Sequence, residues 1–173
     1  MPALNELRNH LGERLDYSLH RSPAKSDSLV ILGHGVTGNK DRPFLVTLSE
    51  ALAKSGITAL RLSFSGNGGS EGRFEDSTIS NQVADLRAAV DAFAGPKIGY
   101  VGHSMGAAVG VLAASQDERI RFLVSLAGMA HTAAFAEREF AGIQPGGGLM
   151  WGKPGCPLSH AYLDDMKRIG SVA

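Results

Sequence analysis

The sequence predicts an α/β fold, a mostly parallel sheet with helices on both faces. Three observations carry this. Apolar runs at 28–32, 57–64, 97–101 and 119–126 read as strands, and those at 28–32 and 97–101 are continuous rather than alternating, as in strands buried on both sides. Helix-length segments separate them, the pattern of strands joined by crossover helices. Glycine-rich turns follow several runs, at the sheet edge where such folds place their ligands.

Element by element, residues 3–11 read as a short amphipathic helix or an ordered tail. Residues 14–20 alternate apolar and polar, as an outer strand does. Residues 21–27 form a polar turn around Pro23, and 28–32 is a buried strand. After the glycine turn at 33–41, residues 43–54 form a helix that stops at Ser55-Gly56. Residues 57–64 form the next strand, and 65–76 a loop with four glycines. Residues 78–93 have helical periodicity, with Ser77 or Thr78 as N-cap. Gly95-Pro96 ends that helix, 97–101 is a buried strand, 104–115 a helix and 119–126 the last strand. Beyond Gly128 the pattern changes: 133–140 is helical, 141–157 holds six glycines and three prolines in a lid-like loop, and 158–169 is an amphipathic helix.

The length of 173 residues suits one domain over 1–173, with its core at 14–130 and a lid-like segment at 131–173. Lys+Arg and Asp+Glu both number 17, which argues against a nucleic-acid arm or a polybasic membrane patch. No apolar run approaches a membrane span, and the start lacks a signal peptide's apolar stretch. Cys156 is the one cysteine, so no internal disulfide forms, and a cytoplasmic setting is expected. No His/Cys/carboxylate cluster has metal-ligand spacing, so neither metal nor cofactor is expected.

Gly102-His103-Ser104-Met105-Gly106 joins an apolar run to a small-residue helix. This is G-x-S-x-G on a strand-turn-helix junction, which presents the serine hydroxyl as a nucleophile. Gly102 and Gly106 relieve crowding between strand and helix, and the first helical amides favour developing negative charge. Gly33-His34-Gly35-Val36-Thr37-Gly38 follows a buried strand and also fits G-x-G-x-x-G. A dinucleotide site is disfavoured there, because the next strand runs into Ser63-Phe64-Ser65-Gly66 with no acidic residue at its tip. An oxyanion turn explains it better, with the Val36 amide joining that of Met105. His34 reads as structural to the turn rather than as a base.

These motifs resemble the α/β-hydrolase superfamily, specifically its serine esterase, aminopeptidase-like and thioesterase-like members. His34-Gly-Val-Thr-Gly-Asn-Lys40 is similar to the oxyanion turn of cinnamoyl- and feruloyl-esterase-like proteins. Phe64-Ser-Gly-Asn-Gly-Gly-Ser-Glu-Gly72 is similar to the family's next glycine loop. The resemblance spans roughly residues 14–130 and implies Ser104 as nucleophile with Val36 and Met105 as oxyanion donors. It also implies an acid and then a histidine on later strands. Only 69 residues follow Ser104, and no strand-like run follows Leu126. The chain therefore reads as the N-terminal two-thirds of such a fold, a truncated form whose turnover is in question.

Within the chain, His131 and His160 are the histidines after the elbow. His160 and Asp164, four apart, share a helix face and form the candidate base and acid, with His131 as the other candidate base. Asp76 and Asp85 read as capping and helix-face charges, Glu71 and Arg73 as solvated loop residues. Leu149-Met150-Trp151 is a candidate apolar wall for an acyl group. The expected function is hydrolysis of small-molecule esters or thioesters through an acyl-enzyme on Ser104. The alternative is a non-catalytic hydrolase-like fragment that associates through an exposed strand at 119–126.

Overall fold

The computed structural model describes residues 6–24, 26–93, 95 and 97–173. Among the described residues five strands and five α-helices follow one another as β1 (Tyr17–His20), β2 (Ser28–Gly33), α1 (Pro43–Lys54), β3 (Thr58–Leu62), α2 (Ile79–Ala92), β4 (Lys97–His103), α3 (Met105–Ala114), β5 (Ile120–Leu126), α4 (Thr132–Phe140) and α5 (His160–Ile169). The strand order is β1-β3-β2-β4-β5. Only β1 runs antiparallel; β2, β3, β4 and β5 are parallel. The expected α/β architecture is thus borne out.

Alternate side chains of the central strands feed two apolar layers, as the two-residue strand period requires. Leu29, Ile31, Leu60, Leu62 and Tyr100 pack with Ile79 and Leu86 of α2 and Val109 and Ala113 of α3. Val30, Leu32, Ala59 and Val101 pack with Leu45, Leu48 and Leu52 of α1. Residues after 131 join the first layer through Phe140, Met150, Leu158, Tyr162 and Met166. Asp165 fastens α5 to α2 by accepting from the Ser80 N–H at 2.9 Å and the Ser80 hydroxyl at 2.6 Å. That carboxylate sits at the positive end of α2. The Thr132 hydroxyl donates to the Met166 carbonyl at 2.7 Å, tying α4 to α5.

Of the two readings of residues 3–11, helix or ordered tail, the described part, 6–11, follows the second; residues 3–5 and Pro96 lie outside the described residues. Asn9 explains the lack of helix: its side-chain oxygen accepts from the Leu11 and Glu13 amides at 3.0 and 3.1 Å, a local turn that competes with helix. Leu7 is buried there, and its carbonyl accepts from the Leu15 amide at 2.8 Å. The strand expected at 119–126 is β5, and the exposure anticipated for it is present: it is an edge strand of the sheet, and Phe122 and Val124 are 48% and 42% exposed. Among the described residues no helix is long and apolar enough to cross a membrane.

Candidate active site

Ser104 stands between the end of β4 and the start of α3 with φ 53° and ψ −118°. A non-glycine residue there carries about 1–3 kcal/mol of backbone strain and persists only where the surroundings hold it. The surroundings do hold it. The Ser104 amide donates to the Leu126 carbonyl at 3.0 Å, and the Ser104 carbonyl accepts from Met129 and Ala107 at 3.1 and 3.0 Å. The Tyr100 hydroxyl donates to the Gly106 carbonyl at 2.9 Å beneath the turn. A Cβ at Gly102 would collide with the Gly106 carbonyl, and one at Gly106 with the carbonyls of Gly33 and His34. The elbow glycines are thus required by close approach of β4, α3 and the end of β2.

The first glycine turn lies against this serine. A Cβ on Gly35 would stand 2.9 Å from Ser104 Cβ and 3.1 Å from His103 Nδ1. Met105 is the first residue of α3, so the helix itself leaves its N–H without a partner. Among the described residues the Val36 amide donates no hydrogen bond either. His34 is fully buried and locks the turn. Its Nε2 accepts from the Phe64 amide at 3.1 Å and its Nδ1 lies 2.9 Å from the Gly35 carbonyl. That pairing assigns the proton to Nδ1. Burial lowers the His34 pKa to about 4, so the ring is neutral and structural. α1 begins only at Pro43, so no helix N-terminus directly follows this turn to receive a pyrophosphate.

A cavity of about 330 Å³ opens beside Ser104, lined by Ala127, Met129, His131, Ala134, Phe135 and Arg138 among others. A larger groove of about 790 Å³, between residues 6–10 and α2, is lined by none of the site residues. His131 shares the cavity with Ser104, and its Nδ1 lies 3.1 Å from the Ser171 hydroxyl. Among the described residues no hydrogen bond links the Ser104 hydroxyl to a histidine. His160 and Asp164 are both exposed on α5, whose buried residues are Tyr162, Asp165 and Met166; neither lines the cavity. Instead Tyr162 reaches the elbow, its hydroxyl 3.0 Å from Met105 Sδ.

The other candidates fall outside the cavity. Met150 is buried in the core while Leu149 and Trp151 are exposed. Glu71 accepts from the Arg14 amide at 2.8 Å and pairs with Arg8, and Arg73 pairs with Glu75 and Asp76. Cys156 is buried, and desolvation raises its thiol pKa, which disfavours a nucleophilic role. Asp85, read from sequence as a helix-face charge, is fully buried and accepts three hydrogen bonds. Sequence reasoning also missed Phe135 and Arg138, although the spacing His131, Ala134, Phe135, Arg138 marks one face of a helix. A further link, from Lys153 Nζ to the Thr37 carbonyl at 2.7 Å, joins the segment after α4 to the glycine turn at 33–38. Among the described residues no group of three or more His, Cys, Asp or Glu is arranged for a metal ion.

A parallel sheet with a strained serine between strand and helix defines a hydrolase class. A family profile described as the alpha/beta hydrolase fold matches residues 28–148, and the chain belongs to that family. No curated protein matches the sequence. Among solved structures, Est1E from Butyrivibrio proteoclasticus with ferulic acid bound is similar at 25% identity and TM-score 0.78, covering 96% of this chain and 71% of that one. The Pyrococcus furiosus esterase Pf2001 is similar at 26% identity and TM-score 0.68, covering 80% of this chain and 58% of that one. XC6422 from Xanthomonas campestris, described as an a/b serine hydrolase without lid, is similar at 26% identity and TM-score 0.65, with 75% and 64% covered.

Proposed function

We propose that the protein hydrolyses small-molecule carboxylic esters or thioesters through an acyl-enzyme on Ser104. The observation that carries this reading is the left-handed backbone of Ser104 with the Gly35 turn packed against it. The likeness to Est1E and to the Pf2001 esterase supports the choice of ester. In the first step the Ser104 oxygen bonds to the carbonyl carbon while the carbonyl electrons move to oxygen. The Val36 and Met105 amides receive that oxyanion, an effect of about 3 kcal/mol for each such donor. Collapse breaks the bond to the alcohol or thiol, which leaves with the serine's proton. Water then attacks the acyl-serine and restores the hydroxyl.

The proton needs a base, and His131 is the histidine that lines the cavity. Its hydrogen-bonded neighbour is the Ser171 hydroxyl rather than a carboxylate. A serine–histidine pair without its orienting acid loses about 10⁴-fold in turnover, so slow hydrolysis is expected of this chain. The test is release of 4-nitrophenol from 4-nitrophenyl acetate by the wild type, Ser104→Ala and His131→Ala. Burst kinetics lost in Ser104→Ala support the reading, and turnover that survives Ser104→Ala overturns it.

A second reading has its own observation. The outermost strand β5 leaves Phe122 and Val124 exposed beside an unpaired edge, which suits a hydrolase-like module that associates with a second copy.

A further inference from the structure

The cavity beside Ser104 has a chemically mixed lining, which includes Ser104 itself, Met129 and His131 as well as the basic Arg138. His131, Ala134, Phe135 and Arg138 contribute to it from one face of α4 and its N-terminal flank. From His131 to Arg138 the helix advances about 10 Å at 1.5 Å per residue. The Phe135 ring forms an apolar wall, and the Arg138 guanidinium sits over that ring at 5.3 Å.

Arg138 is held lightly. Its Nε donates to Glu139 Oε1 at 2.8 Å, and its side chain is 68% exposed. Guanidinium offers five N–H donors, so one carboxylate does not exhaust it. Glu139 is also engaged from its other oxygen, which accepts from Trp151 Nε1 at 3.1 Å. The fork of Arg138 thus has donors left for an incoming anion, beside the Phe135 ring in the cavity that Ser104 also lines.

We infer that Arg138 selects the substrate: the preferred ester carries a short apolar acyl chain that ends in a carboxylate, as in a monoester of a dicarboxylic acid. The ester carbonyl sits at Ser104, the methylenes lie along Phe135, and the terminal carboxylate pairs with the Arg138 guanidinium. Arg rather than Lys suits this role, because its planar fork matches a carboxylate. This inference rests on Ser104 as the reacting group, and it deepens that reading by naming the acyl class.

The test is binding to Ser104→Ala, which holds an ester without consuming it. The ligands are monomethyl glutarate and methyl pentanoate, matched in length and differing in charge. Binding is read by calorimetry and by fluorescence of Trp151, the one tryptophan in the chain, whose indole shares Glu139 with Arg138. The expected result is about tenfold tighter binding of the charged ester, equal to about 1.4 kcal/mol. In Ser104→Ala/Arg138→Gln that preference falls below about twofold while methyl pentanoate binds as before, and Arg138→Lys is intermediate. Equal binding of the two esters, a preference that survives Arg138→Gln, or binding of neither overturns the inference. The preference is measured without the nucleophile. Failure of the Ser104 chemistry is therefore read separately, as missing turnover in the wild type.

Discussion

Replacing Asp85 should destabilise the protein more than any exposed charge would. Its carboxylate is fully buried and accepts from Asn9 Nδ2 at 2.8 Å and from the Ser65 amide and hydroxyl at 2.7 Å each. Asp85→Ala leaves these donors without their acceptor, at about 1 kcal/mol or more each, hence about 3 kcal/mol in all. That is a large share of a total near 5–15 kcal/mol, and about 6–12 °C in Tm for a chain of this size. Asp85→Asn keeps the shape but not the pattern. Asn9 cannot turn its amide over, because its oxygen already serves the Leu11 and Glu13 amides. Asn at position 85 must therefore point its own NH₂ at a donor on one side, which costs about 1–3 kcal/mol. The pH dependence adds a check. Desolvation raises the Asp85 pKa, so in the folded state this group takes up its proton more readily than in the unfolded chain. Its contribution to stability grows as pH falls through the raised pKa toward the ordinary aspartate value. Asp85→Asn lacks that component, so its deficit against wild type widens on acidification. Urea unfolding followed by circular dichroism at pH 7 and pH 5 measures both effects. A cost below about 1 kcal/mol for Asp85→Ala would refute the reasoning.

Other outcomes follow from the same structure. His34 is held neutral with a pKa of about 4 against an ordinary value of 6.5. The unfolded chain therefore binds the proton first, and stability falls as pH drops from 6.5 to about 4, by up to about 3 kcal/mol at 1.36 kcal/mol per unit. His34→Gln flattens that slope in urea titrations across pH. Gly35→Val pushes a side chain against Ser104 and His103, and should cut acylation of Ser104 at least about 100-fold, the scale of a lost oxyanion donor. Circular dichroism confirms that the variant still folds. If β5 associates with a second copy, light scattering finds a dimer or larger species, and Val124→Lys restores the monomer, as an edge lysine does.

Much of this fold is legible because its signals are local. Pro43 and Ser55-Gly56 bracket α1 (Pro43–Lys54) in the sequence, and Thr78 caps α2 by accepting from the Asn81 amide at 3.2 Å. The elbow is equally local, since Gly102, Ser104 and Gly106 sit within one turn. What escapes a linear reading depends on distant partners. Asp85 becomes a buried anchor only because Asn9 and Ser65 meet it. The run at 119–126 is legible as an exposed edge, but that Phe122 and Val124 are the side chains left in solvent follows from the sheet order, in which β5 is an edge strand among the described residues. The face of α4 has no meaning until the fold lays it beside Ser104. His160 and Asp164 share a helix face as the spacing requires, yet α5 turns Tyr162 and Asp165 inward and leaves that pair in solvent.

The central claim is that this chain presents Ser104 as a nucleophile beside preassembled oxyanion donors. It is tested most directly by incubating the purified protein with a fluorophosphonate and recording its intact mass, with Ser104→Ala alongside. The account predicts a single adduct on the wild type, formed slowly for want of an acid behind His131, and none on Ser104→Ala. A folded wild type that takes up no adduct, or an adduct that persists in Ser104→Ala, would contradict it.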